Sequence, residues 1–340
     1  MTAVADDSAE QVVRTGWFPD QRDISVAPLG EGHINDTYLV QITAADKLER
    51  YVLQRISSRV FEAPDKVEEN VERVLEHFRD HMLALPELML TLSATGSWRD
   101  ELGELWRLWR FRENGRTLAK PISLDEARSA GVAFGQFQQH MQSFSGPGLT
   151  PVIEGFGNLA WYLELFDDAR ADWSGPSDEL DLEFIDQRRG LAGQFPARHD
   201  YIHGDCKLDN LLFAGASAAV DCVLDLDTVM RGHWAWDLGD LVRSVATIEG
   251  GLEAELFAAV CAGFLAGSGR RARSTELVAA PRYVTFMLGV RFLTDHLLGD
   301  RYFKVAEPGE NLKRSRQQFA LLVELEQHQV QLQHALERGI

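Results

Sequence analysis

The stretch Tyr201-Ile202-His203-Gly204-Asp205-Cys206-Lys207-Leu208-Asp209-Asn210 decides how the rest of the chain is read. An apolar run follows it and closes on Val223-Leu224-Asp225-Leu226-Asp227. The pattern is H-x-D-x-K-x-x-N, then a strand ending in aspartate. Moving a phosphoryl group from a nucleotide to an alcohol makes three demands at one point. A carboxylate must take the hydroxyl proton, oxygen ligands must hold Mg2+ against the phosphates, and a cation must offset charge on the group in flight. Asp205 is the candidate base and Lys207 the candidate cation; Asn210 and Asp225 are the candidate metal ligands, with Asp227 as the competitor of Asp225. Two side chains suffice, because magnesium takes hard oxygen donors and keeps several waters.

Upstream of this segment the chain is strand-rich. Residues 24–29 alternate apolar and polar and end at Gly30, and residues 36–43 and 50–56 are β-branched or aromatic runs separated by a charged turn. Pro64 and Asp65 open a helix whose apolar face is Val67, Val71, Val74, Leu75 and Phe78. Two further strands are expected at 88–92 and 105–111. The order β-β-β-α-β-β makes a small sheet with one helix. From Asn114 onward helices dominate, with candidates at 125–144, 159–173, 249–266, 278–298 and 312–336, and short strands at 201–203, 211–213 and 219–224. The fold class is α+β. The domains expected are a lobe at 1–110 and a mainly helical lobe at 111–340.

Composition narrows the partners. The 340 residues carry 34 Lys+Arg against 52 Asp+Glu, a net charge of −18, with 45 % hydrophobic residues. That balance excludes wholesale disorder, and it argues against a nucleic-acid or anionic-membrane partner, both of which need a basic face. It leaves room for a small anionic ligand in a locally positive pocket. Three scattered cysteines with no CxxC argue for reduced thiols and a cytoplasmic location. Nothing reads as a secretory signal or a membrane span. The acid-rich segment 167–186 reads as a solvated helix face and loop.

The 203–210 spacing is similar to the catalytic loop of protein kinases. With Gly204 it resembles the aminoglycoside phosphotransferase and choline kinase group, and within that group the bacterial N-acetylhexosamine 1-kinases. The likeness also rests on Gly32-His33-Ile34-Asn35-Asp36-Thr37-Tyr38, Tyr51-Val52-Leu53-Gln54-Arg55-Ile56, Asp237-Leu238-Gly239-Asp240, Thr294-Asp295-His296 and Gly299-Asp300-Arg301-Tyr302-Phe303. It covers about residues 20–325. The resemblance implies a protein-kinase-like two-lobed fold and ATP and Mg2+ as cofactors. It also implies a sugar substrate phosphorylated at its anomeric hydroxyl. It gives His203 a structural role, its ring bonded to nearby backbone, and makes Asp237 the acid that holds the loop by backbone hydrogen bonds.

On the nucleotide side, Gly30 and Gly32 would let backbone approach phosphate. The third strand, where the family keeps a phosphate-gripping cation, offers Arg55, with Gln54 taking its place if the register is shifted by one. Its helix partner would be Glu68, Glu69 or Glu72. Phe111 and Glu113 lie in the expected hinge, whose backbone would meet adenine. For the acceptor, carboxylates, imidazoles and an aromatic ring suit sugar hydroxyls and C–H faces. The candidates are His33, Asp295, His296, Arg301 and Tyr302. The alternatives are an aminoglycoside, choline or other amino alcohol as acceptor, and a catalytically silent nucleotide-binding protein.

Overall fold

The computed structural model describes residues 7–30, 34–44, 47–120, 123–175, 179–196, 200–248 and 251–339. The chain forms two compact units. One comprises Met1–Arg79 and Leu85–Asn114, the other Asp80–Ala84 and Gly115–Ile340. The division differs from the boundary expected at residue 110 chiefly in the segment 80–84, which packs with the second unit. Val223 donates its N–H to the Ala84 carbonyl at 3.1 Å.

The first unit contains α1 (Asp7–Gly16), β1 (Asp23–Pro28), β2 (Asp36–Ala44), β3 (Lys47–Arg55), α2 (Pro64–Phe78), β4 (Leu88–Met89), β5 (Ser97–Arg99) and β6 (Leu105–Arg110). The strands form an antiparallel sheet in the order β1-β2-β3-β6-β4, with β5 also paired to β6. Register sorts the side chains onto two faces, because successive residues point to opposite sides. Val26, Val40, Tyr51, Leu53, Trp106 and Leu108 share one face and pack against Val12, Val13 and Trp17 from α1 and the turn after it. Gln54, Arg107 and Trp109 lie on the other. Sequence reading did not anticipate α1. It is an amphipathic helix whose buried residues Ala9, Val12 and Val13 sit at helical spacing. Pro64 occupies the first turn of α2, where its missing N–H costs nothing. Val67, Val71, Val74 and Phe78 are buried as expected.

The second unit contains β7 (Gly115–Arg116), α3 (Leu124–Met141), α4 (Leu159–Ala171), α5 (Glu179–Arg188), β8 (Asp200–Ile202), β9 (Leu211–Ala214), β10 (Val220–Val223), β11 (Met230–Gly232), α6 (Trp234–Val245), β12 (Thr247–Ile248), β13 (Gly251–Leu252), α7 (Ala254–Ser268), α8 (Ser274–Leu297), α9 (Glu310–Gln327) and α10 (Gln329–Gly339). Two small ladders, β10-β9-β7 and β11-β8, hold the ends of the motif segment. A capping box between Ser123 and Glu126 starts α3. Helices α3 and α7 meet backbone to backbone: a Cβ on Gly131 would lie 2.3 Å from the Val260 carbonyl oxygen, and one on Gly263 2.0 Å from that of Arg128. The helix expected at 312–336 is two, broken at His328. The fold is α+β, an antiparallel-sheet N-terminal part followed by a helical C-terminal part. Among the described residues, no helix is long and apolar enough to cross a membrane.

Candidate active site

The segment read first in the sequence is held from beneath by α6. Asp237, 1 % exposed, accepts the His203 N–H on Oδ2 and the Gly204 N–H on Oδ1, each at 2.9 Å. Gly204 has φ +85°, and a Cβ there would lie 2.6 Å from the Thr228 carbonyl oxygen, so the turn requires glycine. Thr228 Oγ1 donates to the His203 carbonyl at 2.9 Å, and the Leu208 N–H donates to Ser244 Oγ at 3.0 Å. The His203 ring packs edge-on against Phe134 and Phe137. Burial pushes its pKa down, so the ring is neutral at physiological pH. Its Nδ1 accepts the Asp205 N–H at 3.4 Å, which leaves Nε2–H to donate to the Leu224 carbonyl at 2.9 Å. The structural roles expected of His203 and Asp237 are the ones the geometry shows.

This frame brings Asp205, Lys207 and Asn210 together. Lys207 Nζ and Asn210 Nδ2 each lie 2.8 Å from Asp205 Oδ2, and Asn210 Nδ2 also donates to the Asp205 carbonyl at 2.8 Å. Burial raises the pKa of Asp205, but the Lys207 ammonium and the Asn210 amide outweigh it and hold the carboxyl below its ordinary value. Lys207 is pushed up: burial disfavours its charge, and Asp205 and then Asp225 more than restore it. Asp225 follows β10 in the left-handed region, φ +58°. Both Asn210 N–H bonds point at Asp205, so its Oδ1 faces the other way. Oδ1 and the Asp225 carboxylate are hard oxygens of the kind a hydrated Mg2+ takes, and the pair fits that ion. Among the described residues, no group of three or more His, Cys, Asp or Glu gathers to hold a metal ion, so a metal here would rest on two side chains and its other ligands.

Two residues that sequence reading missed extend this cluster. Asp240, on α6, is bound by Arg243 at 2.8 Å. Burial and the nearby Asp205 raise its pKa against the pull of Arg243. Arg291, on α8, is ringed by Phe156, Tyr162, Tyr302 and Phe303, with its guanidinium carbon 5.0–5.8 Å from each centroid. Burial opposes its charge, and Tyr162, Tyr302 and Asp240 outweigh that. Asp240 is thus in electrostatic reach of both Asp205 and Arg291. The motif 237–240 held a hint of the first residue. Nothing around Arg291 in the sequence set it apart from any other helix arginine.

The expected acceptor cluster divides. Tyr302 stands beside Arg291. Asp295 is a correction: its carboxylate ties down its own loop. Oδ1 accepts the N–H groups of Arg301 (2.8 Å) and Tyr302 (2.7 Å); Oδ2 accepts those of Phe303 and Asn311 Nδ2, each at 2.9 Å. Four donors fill the acceptor sites a sugar hydroxyl would need. Arg301 is exposed and contributes its backbone to that tie. His296 packs against Trp173, ring centroids 5.7 Å apart. His33 lies outside the described residues.

On the nucleotide side the first unit corrects Arg55. It lies on the α1 face of the sheet, 36 % exposed, and donates through Nε to Asp36 at 3.1 Å. None of the three glutamates is its partner. Glu68, buried on α2, faces Arg107 of β6 at 3.6 Å. Glu69 pairs with Lys66, and Glu72 accepts the Gly96 N–H. Gln54 Oε1 accepts from Arg107 Nε at 3.1 Å and from Trp109 Nε1 at 2.8 Å, so the α2 face carries Gln54 where a cation was expected. The parity of the strand made the difference. Gly30 lies two residues past β1 with φ +72°, and Gly32 lies outside the described residues. The Phe111 N–H is already given to the Arg50 carbonyl at 3.1 Å. The Glu113 carboxylate forms an ion pair with Arg50 at half exposure, which leaves its backbone, the part expected to meet adenine, for a ligand.

Comparison with known proteins adds a family. The model of the phosphotransferase enzyme family APH matches residues 25–274. Among solved structures, a microcompartment-associated aminopropanol kinase superposes with a TM-score of 0.63 at 14 % identity, covering 96 % of this chain and 99 % of its own. A choline/ethanolamine kinase family protein from Mesorhizobium loti gives 0.63 at 15 %, with 97 % and 99 % covered. A spectinomycin phosphotransferase in complex with ADP and spectinomycin gives 0.61 at 12 %, with 96 % and 100 % covered. At these identities the likeness is one of fold.

Proposed function

The chain belongs to the APH family of phosphotransferase enzymes, and from that premise we propose that it transfers the γ-phosphoryl group of ATP, with Mg2+, to the anomeric hydroxyl of an N-acetylhexosamine. The observation that carries the transfer step is the ionised Asp205 carboxylate, held between Lys207 and Asn210 in a loop tied to Asp237. Asp205 orients the acceptor hydroxyl and takes its proton. Lys207 keeps Asp205 ionised and offsets charge on the group in flight. Magnesium, when bound, neutralises phosphate charge, and Asn210 and Asp225 are the residues that would hold it. Transfer is direct and in line, with no phosphoenzyme.

The sugar reading draws on the motif resemblance and on Arg291. A fixed guanidinium among aromatic rings offers donors to hydroxyl or acetyl oxygens and stacking surface to C–H faces, and it repels a cationic acceptor. A second reading, an amino alcohol acceptor, draws on Asp240 and on the acidity of the chain. Incubation of the enzyme with ATP and a mixed pool of hexosamines, choline, aminopropanol and aminoglycosides, read by ³¹P NMR, separates the two. A sugar 1-phosphate supports the first; phosphate only on amine-bearing alcohols rejects it. In the Asp205→Asn variant with intact nucleotide binding, turnover falls at least about a thousandfold, a barrier increase of about 4 kcal/mol. Near-normal turnover would overturn the base assignment.

A further inference from the structure

Asp237 is reached from a second side, by an element outside the motif segment. Gln138 lies in the last turn of α3 and is 1 % exposed. Its Nε2 donates to Asp237 Oδ2 at 2.7 Å and to the Trp234 carbonyl at 3.4 Å. The same Oδ2 accepts the His203 N–H, while Oδ1 accepts the Gly204 N–H. The amide cannot be turned round, because its oxygen would then face the carboxylate. Oriented this way, Gln138 Oε1 is buried with no hydrogen-bond partner among the described residues. Such a group carries an uncompensated desolvation cost, which an apolar side chain of similar volume would avoid. The donor toward Asp237 is what the glutamine supplies in return. It does so without charge, so that Asp237 stays an acceptor for two backbone amides rather than the partner of a cation.

We propose that Gln138 is a positioning residue for phosphoryl transfer: through Asp237 it fixes the plane of the carboxylate that holds the His203–Gly204 backbone, and so the direction in which Asp205 is presented. The inference rests on the reading of Asp205 as the base. It adds α3, an element with none of the expected catalytic or binding residues, to the machinery.

Two variants test it. Gln138→Met keeps the volume and removes the donor. Its kcat falls about tenfold or more, equivalent to about 1.4 kcal/mol, while KM for ATP and for the acceptor stays within about threefold. Gln138→Glu supplies a donor only when protonated. Beside buried Asp237 its pKa is raised, so its kcat relative to wild type climbs as pH falls from about 8 to about 5.5. Melting curves at each pH and the nucleotide-binding fraction correct for unfolded protein. Hydrogen exchange of the peptide spanning 200–210 gives a readout that needs no acceptor, and it quickens in Gln138→Met. Wild-type kcat in the Met variant, or a flat pH ratio in the Glu variant, overturns the proposal, as does unchanged exchange. A wild-type enzyme that transfers no phosphate to any acceptor would instead reject the proposed function, with the exchange result still deciding the link from Gln138 to the loop.

Discussion

At the scale of single residues, the charge state of Asp205 is set by a contest. Burial favours the neutral acid, and Lys207 wins for the carboxylate. The sign of the consequence follows. With its pKa depressed, Asp205 is an active base throughout the neutral range and loses that role only in acid, below the ordinary aspartate range. Replacing Lys207 with Met removes the ammonium, the largest influence opposing burial, and leaves the weaker ones of His203 and Asn210. The acid limb of kcat/KM then moves to higher pH, and a pH–rate profile of Lys207→Met against wild type checks it. Asp295 makes the opposite kind of prediction. Asp295→Ala strands three backbone N–H groups and the Asn311 amide, so the unfolding midpoint drops by an amount equivalent to about 3 kcal/mol, measured by urea denaturation. The contrast explains what was legible in the sequence. Asp205, Lys207 and Asn210 sit within one tight turn, so spacing alone places them together. Asp295, an acid among sugar-binding residue types, reads like a ligand until the loop after α8 folds back and gives its oxygens to backbone. Gln138 acts through a contact between two helices far apart in sequence, and Arg291 gains its setting from Phe156, Tyr162 and the loop after α8, which no local pattern encodes.

At the scale of elements, strand parity and helix contact decide the rest. The strands of the first unit were readable because one face is buried, and alternation marks that face. Which face carried Gln54 and which Arg55 depended on register, and a shift of one residue exchanges them. Helix α1 escaped notice because its apolar stripe is short; it has meaning only with the sheet face of Tyr51 and Trp106 beneath it. The α3–α7 crossing was hidden for a related reason. Glycines inside a helix read as weak points costing about 1 kcal/mol each against alanine. Here they are the contact surface itself. Gly263→Ala therefore destabilises the protein by about 2 kcal/mol, despite its better helix propensity, because the new methyl meets the Arg128 carbonyl. Chemical denaturation of the two proteins at equal concentration gives the comparison. A gain in stability would show that the helices part without cost.

At the scale of the whole molecule, the charge of −18 and the proposed nucleotide ligand are of like sign. Attraction is confined to short range, at Lys207 and at the metal that Asn210 and Asp225 would hold, while the long-range field repels. Raising ionic strength from about 10 to 150 mM screens the repulsion first, so the association rate for ATP increases with salt; stopped-flow binding of a fluorescent ATP analogue measures it. A rate that falls with salt would mean that a positive local field outweighs the net charge. The two-unit division has a consequence of another kind, in the order of events on the ribosome. The segment 80–84 packs with the second unit, and its partner Val223 is made much later. At typical elongation rates the delay is roughly 7 to 30 s. During that interval the segment that carries Leu83, buried in the finished protein, lacks its pairing with Val223. The nascent chain thus carries an incompletely paired segment between two stretches that can already pair as β-sheet, and chaperone capture during synthesis is to be sought there.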